Sequence, residues 1–242
     1  MKILRGVYTA YGSLVFAMLF ALLLPLFLIP ILFPRQHKLV GILNRLWARL
    51  LFFFIGVPLR LVYRTPLDPK KQYIFCSNHF SYLDIPAMGL IPHNAIFVGK
   101  SGIETVPVFG WMYGKLHITV DRKKMRSRYT SLVRSMDAID QGKNLVIFPE
   151  GGIVTEKGPE MGPFKDGAVR IAVEKQIPIV PVTIPYNWII LPPDQFLLRW
   201  HPLHVIFHEP LETTGLTAKD TDALKQKLFS IIDTELKQHQ GK

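Results

Sequence analysis

The chain has 242 residues, of which 49% are hydrophobic and 19% charged, with a formal net charge of +11. This length supports one sizeable core and is too short for two full enzymatic domains. The single cysteine, Cys76, excludes an internal disulfide and fits a cytoplasm-facing domain. The charge is local: residues 1–72 carry 10 Lys or Arg against one Asp, and the remainder is nearly neutral. Basic charge around apolar segments reads as attraction to anionic lipid headgroups, and a near-neutral folded part argues against nucleic-acid binding.

From Gly6 to Pro34 there is no charged residue. About 20 apolar residues suffice to cross a bilayer core. The run is longer than a signal-peptide core and no small-residue cleavage site follows it, so a retained membrane segment is expected. Pro25, Pro30 and Pro34 predict that its helix bends or ends near Pro25–Pro30. A second apolar stretch, Leu39 to Val57, carries Arg45 and Arg49 four apart on one face, the pattern of a helix lying in the membrane interface. Lys2 and Arg5 precede the first run, while Arg35 and Lys38 follow it. Positive charge on both flanks sets no orientation and suits a hairpin dipping into one leaflet. Residues 1–57 are therefore expected to form a membrane-embedded helical pair, and residues 58–242 the folded domain.

Short apolar runs predict strands at Leu59–Arg64, Tyr73–Ser77, Ala95–Val98, Leu116–Val120, Asn144–Phe148, Ile179–Ile184 and His204–Phe207. Helices are expected over Ile85–Leu90, Lys124–Asp140, Asp166–Lys175 and Lys219–Leu236. The alternation predicts an α/β fold: a single domain with a mostly parallel central sheet flanked by helices. Pro181 inside a strand run argues for an edge or bulge position. Cys76, inside an apolar run, reads as a buried small hydrophobe and not as a nucleophile.

Two segments carry chemistry. Asn78-His79-Phe80-Ser81-Tyr82-Leu83-Asp84 follows the run Tyr73–Cys76, and Phe148-Pro149-Glu150-Gly151-Gly152 ends the run Leu145–Phe148. Strands that deliver polar residues at their C-terminal ends are how open α/β sheets build sites. A histidine oriented by a carboxylate is the usual general base for a hydroxyl. Within one helix, positions i and i+5 lie about 140° apart and diverge. His79 and Asp84 meet if His79 sits in the loop and Asp84 in the first turn of the next helix. Ser81-x-x-Asp84 has the form of a capping box, which supports a helix start there.

These segments resemble the glycerolipid acyltransferases, especially the bacterial 1-acylglycerol-3-phosphate acyltransferases. The family's N-H-x4-D motif matches Asn78 to Asp84. A basic block matches Val120-Asp121-Arg122, and F-P-E-G matches Phe148 to Gly151. An F-K-x-G-A segment matches Phe164 to Ala168, and a Pro-containing strand matches Ile179 to Thr183. The resemblance covers about residues 60–210 and implies a membrane-bound O-acyltransferase of phospholipid biosynthesis. His79 would be the general base and Asp84 its orienting partner. Asn78, Lys100, Arg122, Glu150 and Gly151 would bind substrate, with backbone amides near Lys100 as oxyanion donors and Arg122 on the acceptor phosphate. Glu150 would contact the glycerol part or serve as a structural acceptor of backbone amides. Lys123, Lys124, Arg126 and Arg128 read as a solvated or lipid-facing basic helix start.

The implied co-substrates are a lysophospholipid acceptor and an acyl-CoA or acyl-carrier-protein donor. No metal and no further cofactor are required, and the expected setting is a bacterial inner membrane with the domain on the cytoplasmic side. The apolar stretch Asn187–Pro193 would line an acyl channel or close the core. The chain departs from the family's F-P-E-G-T-R-S at Gly152 and Ile153, where the usual threonine and phosphate-binding arginine stand. Lys157, Lys165 or Arg170 would have to replace that cation, or the acceptor differs, for example a lyso-aminolipid. A catalytically idle lipid-binding protein is the alternative from another class. Retention of both His79 and Asp84 counts against it.

Overall fold

The computed structural model of the chain describes residues 2–154 and 160–239. Seven strands form one sheet: β1 (Leu59–Tyr63), β2 (Ile74–Ser77), β3 (Ala95–Lys100), β4 (Ile118–Val120), β5 (Asn144–Ile147), β6 (Ile179–Thr183) and β7 (Leu203–Phe207). Their order is β1-β7-β6-β2-β5-β3-β4. All neighbouring pairs are parallel except β6 with β7. The sheet is thus mostly parallel, as expected, and its central strands are buried on both faces, which is why they read as continuous apolar runs.

Alternation along each strand builds two separate cores. Tyr73, Phe75, Phe97, Val146, Val180 and Val205 point into one of them, against α1 (Lys2–Leu32), α2 (Lys38–Phe54) and α4 (Phe109–Leu116). Ile74, Cys76, Ile96, Leu145 and Ile179 point into the other, against α5 (Met125–Asp140), α6 (Gly167–Lys175) and α8 (Thr221–Gln238). Cys76 is fully buried there, and burial pushes its thiol pKa up, as suits a packing residue.

Pro181 lies in an interior strand and not at an edge, but its partner strand bulges. Val182 pairs Phe207, while Ile179 pairs Leu211, so β7 and its continuation hold one extra residue between those pairs. The His208 amide donates to the Pro181 carbonyl. The irregularity falls where proline has no N–H to give.

The N-terminal helices differ from expectation in two ways. Helix α1 runs unbroken through Pro25 and Pro30 to Leu32. Leu19, Leu23 and Phe27, on either side of Pro25, are buried in the core, and that packing offsets the hydrogen bond the proline cannot make. In α2, Arg45 is not offered to a membrane surface; its guanidinium donates to the carbonyls of Ile91 and His93. Val40, Ala48, Leu51 and Phe52 bury α2 in the same core as the sheet. Gly41 packs so closely on Asn94 that a Cβ would stand 2.7 Å from its Cα. Helix α2 is therefore part of the folded domain's packing as well as a partner of α1.

Candidate active site

The parallel strands β2 to β6 deliver polar residues at one edge of the sheet. Asn78 and His79 follow β2, Lys100 ends β3, and Arg122 follows β4. Glu150 follows β5, and Asn187 opens the short helix α7 (Asn187–Ile190) after β6. Asn78 clamps two strand ends: its Nδ2 donates to the Ile184 carbonyl at 3.0 Å, and its Oδ1 accepts the Ile184 amide at 2.8 Å.

Asp84 opens α3 (Asp84–Met88) and is fully buried. Its Oδ2 lies 2.9 Å from His79 Nδ1 and accepts the amides of Phe80 at 2.7 Å and Ser81 at 2.8 Å. Its Oδ1 accepts the Asn187 amide at 2.8 Å. A carboxylate taking these donors makes Nδ1 the protonated ring nitrogen, so Nε2 carries the lone pair. Among the described residues Nε2 has no hydrogen-bond partner. The imidazole stacks on Phe148, centroids 4.1 Å apart and planes 17° apart, and its side chain keeps 13% exposure. A rigid ring with one free basic nitrogen at a partly open surface suits removal of a proton from a bound hydroxyl.

The expected capping box does not form. The Ser81 hydroxyl accepts the Leu83 amide at 3.2 Å and donates to the Leu191 carbonyl, and of the box itself only the reciprocal bond, Ser81 amide to Asp84, is present. The serine thus ties the His79–Asp84 turn to the segment after α7. Ile190 of α7 and Leu191 after it are buried in the core, so this part of Asn187–Pro193 closes the core.

Glu150 is a structural acceptor. One oxygen accepts the His79 amide at 2.7 Å and the other the Gly162 amide at 2.8 Å. Burial pushes its carboxyl from 4.5 up to about 7, against the lowering effect of those two amides, and Asp84 raises it further. Between these pH values the folded state holds the proton that the unfolded chain has released, so raising the pH there costs stability. The full window corresponds to on the order of 3 kcal/mol. The melting-temperature advantage of wild type over Glu150→Gln should therefore shrink as pH rises from about 5 to about 7.5. An advantage that grows over that range would contradict the burial account.

Arg122 lies against the turn after β5. A Cβ on Gly151 or Gly152 would stand 3.5 or 3.6 Å from its Nη1. Gly151 has φ +89°, which a side chain would disfavour. Arg122 has no carboxylate partner among the described residues, and burial lowers its pKa. Lys165 passes the same glycine, its Cγ 3.8 Å from the Cβ position. Arg170 is exposed on α6, and Lys157 lies outside the described residues. Lys123, Lys124, Arg126 and Arg128 are exposed, as expected of a solvated helix start. Lys100 is also exposed, and its side chain makes no hydrogen bond or ion pair among the described residues.

The family model described as Acyltransferase matches residues 60–185, just over half of the chain and a span that holds Asn78, His79, Asp84, Lys100, Arg122, Glu150 and Gly151 but not Asn187. The chain belongs to the acyltransferase family. This acyltransferase is 30% identical over 185 residues to a chloroplastic 1-acyl-sn-glycerol-3-phosphate acyltransferase of Brassica napus, covering 75% of the chain and 53% of that relative. With 1-acyl-sn-glycerol-3-phosphate acyltransferase of Saccharomyces cerevisiae it shares 28% identity over 207 residues, 84% of the chain and 68% of the relative. It thus spans about half to two thirds of the length of these relatives. The crystal structure of the 1-acyl-sn-glycerophosphate (LPA) acyltransferase PlsC from Thermotoga maritima superposes with a TM-score of 0.80 at 19% identity, covering 100% of this chain and 98% of that one. The fold is the same.

Asn187 is the site residue that sequence reasoning passed over. It fixes the oxygen of Asp84 that does not face the imidazole, and so sets the plane of the carboxylate. Asn187→Ala should lower kcat by about tenfold, the worth of one hydrogen bond to a charged group, with both KM values held. A loss appearing only in KM would remove Asn187 from this role.

Proposed function

We propose that this acyltransferase moves a fatty acyl group from an acyl thioester to the free hydroxyl of 1-acylglycerol-3-phosphate, forming phosphatidate, at a membrane surface. The observation that carries the reading is the His79–Asp84 pair with Nε2 unpartnered, at the edge of the sheet that also presents Arg122. Nε2 takes the hydroxyl proton as the oxygen attacks the thioester carbonyl carbon. The tetrahedral intermediate collapses by breaking the carbon–sulfur bond, and the imidazolium returns its proton to the departing thiolate. Asp84 stabilises the imidazolium between these steps, the base–orienter logic of a hydrolytic triad with the acceptor hydroxyl in place of the serine. Amides near Lys100 serve as oxyanion donors. Asn78 and Glu150 act by holding the loop in place, and Gly151 lets Arg122 approach the acceptor phosphate.

Helix α1 supports the lipid side of the reading. It has 31 residues and contains an 18-residue window with a mean hydropathy of 2.8, long and apolar enough to cross a membrane. It packs lengthwise on α2 and α4, with Phe16 and Phe20 against Phe109. A helix flanked by its own domain in this way suits an anchor in one leaflet, with the domain on the cytoplasmic side of a bacterial inner membrane.

The second reading is acylation of another lyso-lipid, favoured by Ile153 at the position of the family's second phosphate cation. Purified protein with labelled acyl-CoA, or acyl-carrier protein, and a panel of lyso-lipids tests both. The first reading expects lysophosphatidate to give the highest kcat/KM. A zwitterionic or aminolipid acceptor ranking first would replace it, and transfer to none of them would leave the lipid-binding alternative.

A further inference from the structure

Beyond α1, the folded domain has its own exposed aromatic edge. Phe196 is 54% exposed, Trp200 65% and Tyr82 53%. Tyr82 and Phe196 meet edge-on, centroids 5.5 Å apart, and Tyr82 lies two residues before Asp84. Phe196 has φ +51°, a left-handed conformation that bulky residues seldom adopt, and it holds this ring outward. The segment is tied at both ends. Ser81 donates to Leu191 near the catalytic turn. Towards the other end the Leu198 amide donates to Thr9 of α1, and the Trp200 indole donates to the Gly56 carbonyl just past α2. Leu198 also packs on Gly12. The exposed rings of Tyr11, Phe53 and Phe54 belong to the same helix ends, where Tyr11 donates to Phe54.

We propose that segment 192–200, together with Tyr82, is a second membrane contact: an aromatic edge continuous with α1 that seats in the headgroup–acyl boundary of an anionic bilayer beside the His79–Asp84 pair. The proposal rests on the membrane-anchored reading of α1 given above. Tyrosine and tryptophan suit that depth because each joins an apolar ring to a polar group. The charges at the edge favour anionic headgroups: Arg5, one turn before Thr9, and Arg199 in the segment stand beside one acid of the segment, Asp194. The consequence is lateral entry of a lipid acceptor past Tyr82, without a passage through water.

The test uses the full-length protein on phosphatidylcholine–phosphatidylglycerol vesicles. Cys76 is buried and does not label. A polarity-sensitive fluorophore is placed in turn at Phe196→Cys, at Met18→Cys on the exposed face of α1, and at Lys227→Cys on α8. Vesicles containing nitroxide-labelled lipid should quench the probes at 196 and 18 and spare the probe at 227. Quenching at 18 with none at 196 overturns the second contact and leaves the anchor standing. No quenching at 18 overturns the anchor reading itself. A probe at 196 that responds to protein concentration in lipid-free solution, and not to nitroxide lipid, assigns the patch to a second copy of the chain. In a second arm, Phe196→Asn keeps a residue that tolerates left-handed backbone. Its KM for vesicle-borne acceptor should rise about three- to tenfold, with kcat on a short-chain, detergent-dispersed acceptor unchanged. Equal KM on vesicles would contradict a contact used in catalysis.

Discussion

His79→Ala should lower acyl transfer by about 10²- to 10⁴-fold, the usual worth of a positioned general base, while the protein stays folded and membrane-bound. The fold should survive because the loop does not depend on the imidazole. The His79 amide still donates to Glu150, and Asp84 still receives Phe80, Ser81 and Asn187. What is lost is the basic nitrogen and the stacking on Phe148. Circular dichroism and vesicle sedimentation would confirm the intact protein, and single-turnover rates with saturating substrates would report the chemical step. A loss below about tenfold would remove His79 from the base role. Asp84→Asn should be nearly as severe, since an amide can present its NH2 to Nδ1 and turn the imidazole to the wrong tautomer.

Much of this arrangement was legible in the sequence because it is local or repetitive. Central strands buried on both faces have to be apolar throughout, so β2, β5 and β6 stand out as unbroken runs, and the motif places His79 and Asp84 within a short turn of chain. Helix α4 escaped notice because Gly110 and Gly114 weaken its helical signal, and Leu116, its last residue, reads equally well as the start of a strand. Gly110 is needed there: a Cβ would press on the backbone of Ile103 and Glu104. Asn187 could not be found by spacing, because its bond to Asp84 joins residues 103 apart along the chain. Ser81 was half legible: its oxygen accepts the Leu83 amide at the helix start, but its donor bond to Leu191, 110 residues on, has no signal in the spacing. Side-chain bonds between distant segments leave no periodic trace, and in this site they are what hold the carboxylate still.

Arg122→Ala should raise the KM for lysophosphatidate by about 10- to 100-fold, the loss of one charge-assisted contact of roughly 1.5–3 kcal/mol. Ile153 removes one of the family's phosphate cations, which leaves Arg122 as the guanidinium lying directly over the Gly151–Gly152 turn, with Lys165 passing nearby. Because Arg122 is half-buried and has no carboxylate partner among the described residues, its charge is available to an anionic ligand. Arginine's planar fork suits two phosphate oxygens, so Arg122→Lys should recover only part of the loss. The acyl-donor KM should hardly move, since the residue is assigned to the acceptor headgroup and not to the thioester. Ile153→Arg should improve phosphate-bearing acceptors relative to zwitterionic ones by restoring a second cation. Kinetics of the three variants on lysophosphatidate and on a zwitterionic lysophospholipid would decide the question. An Arg122→Ala enzyme with an unchanged lysophosphatidate KM would end the phosphate assignment and turn the site toward an acceptor without a bare phosphate.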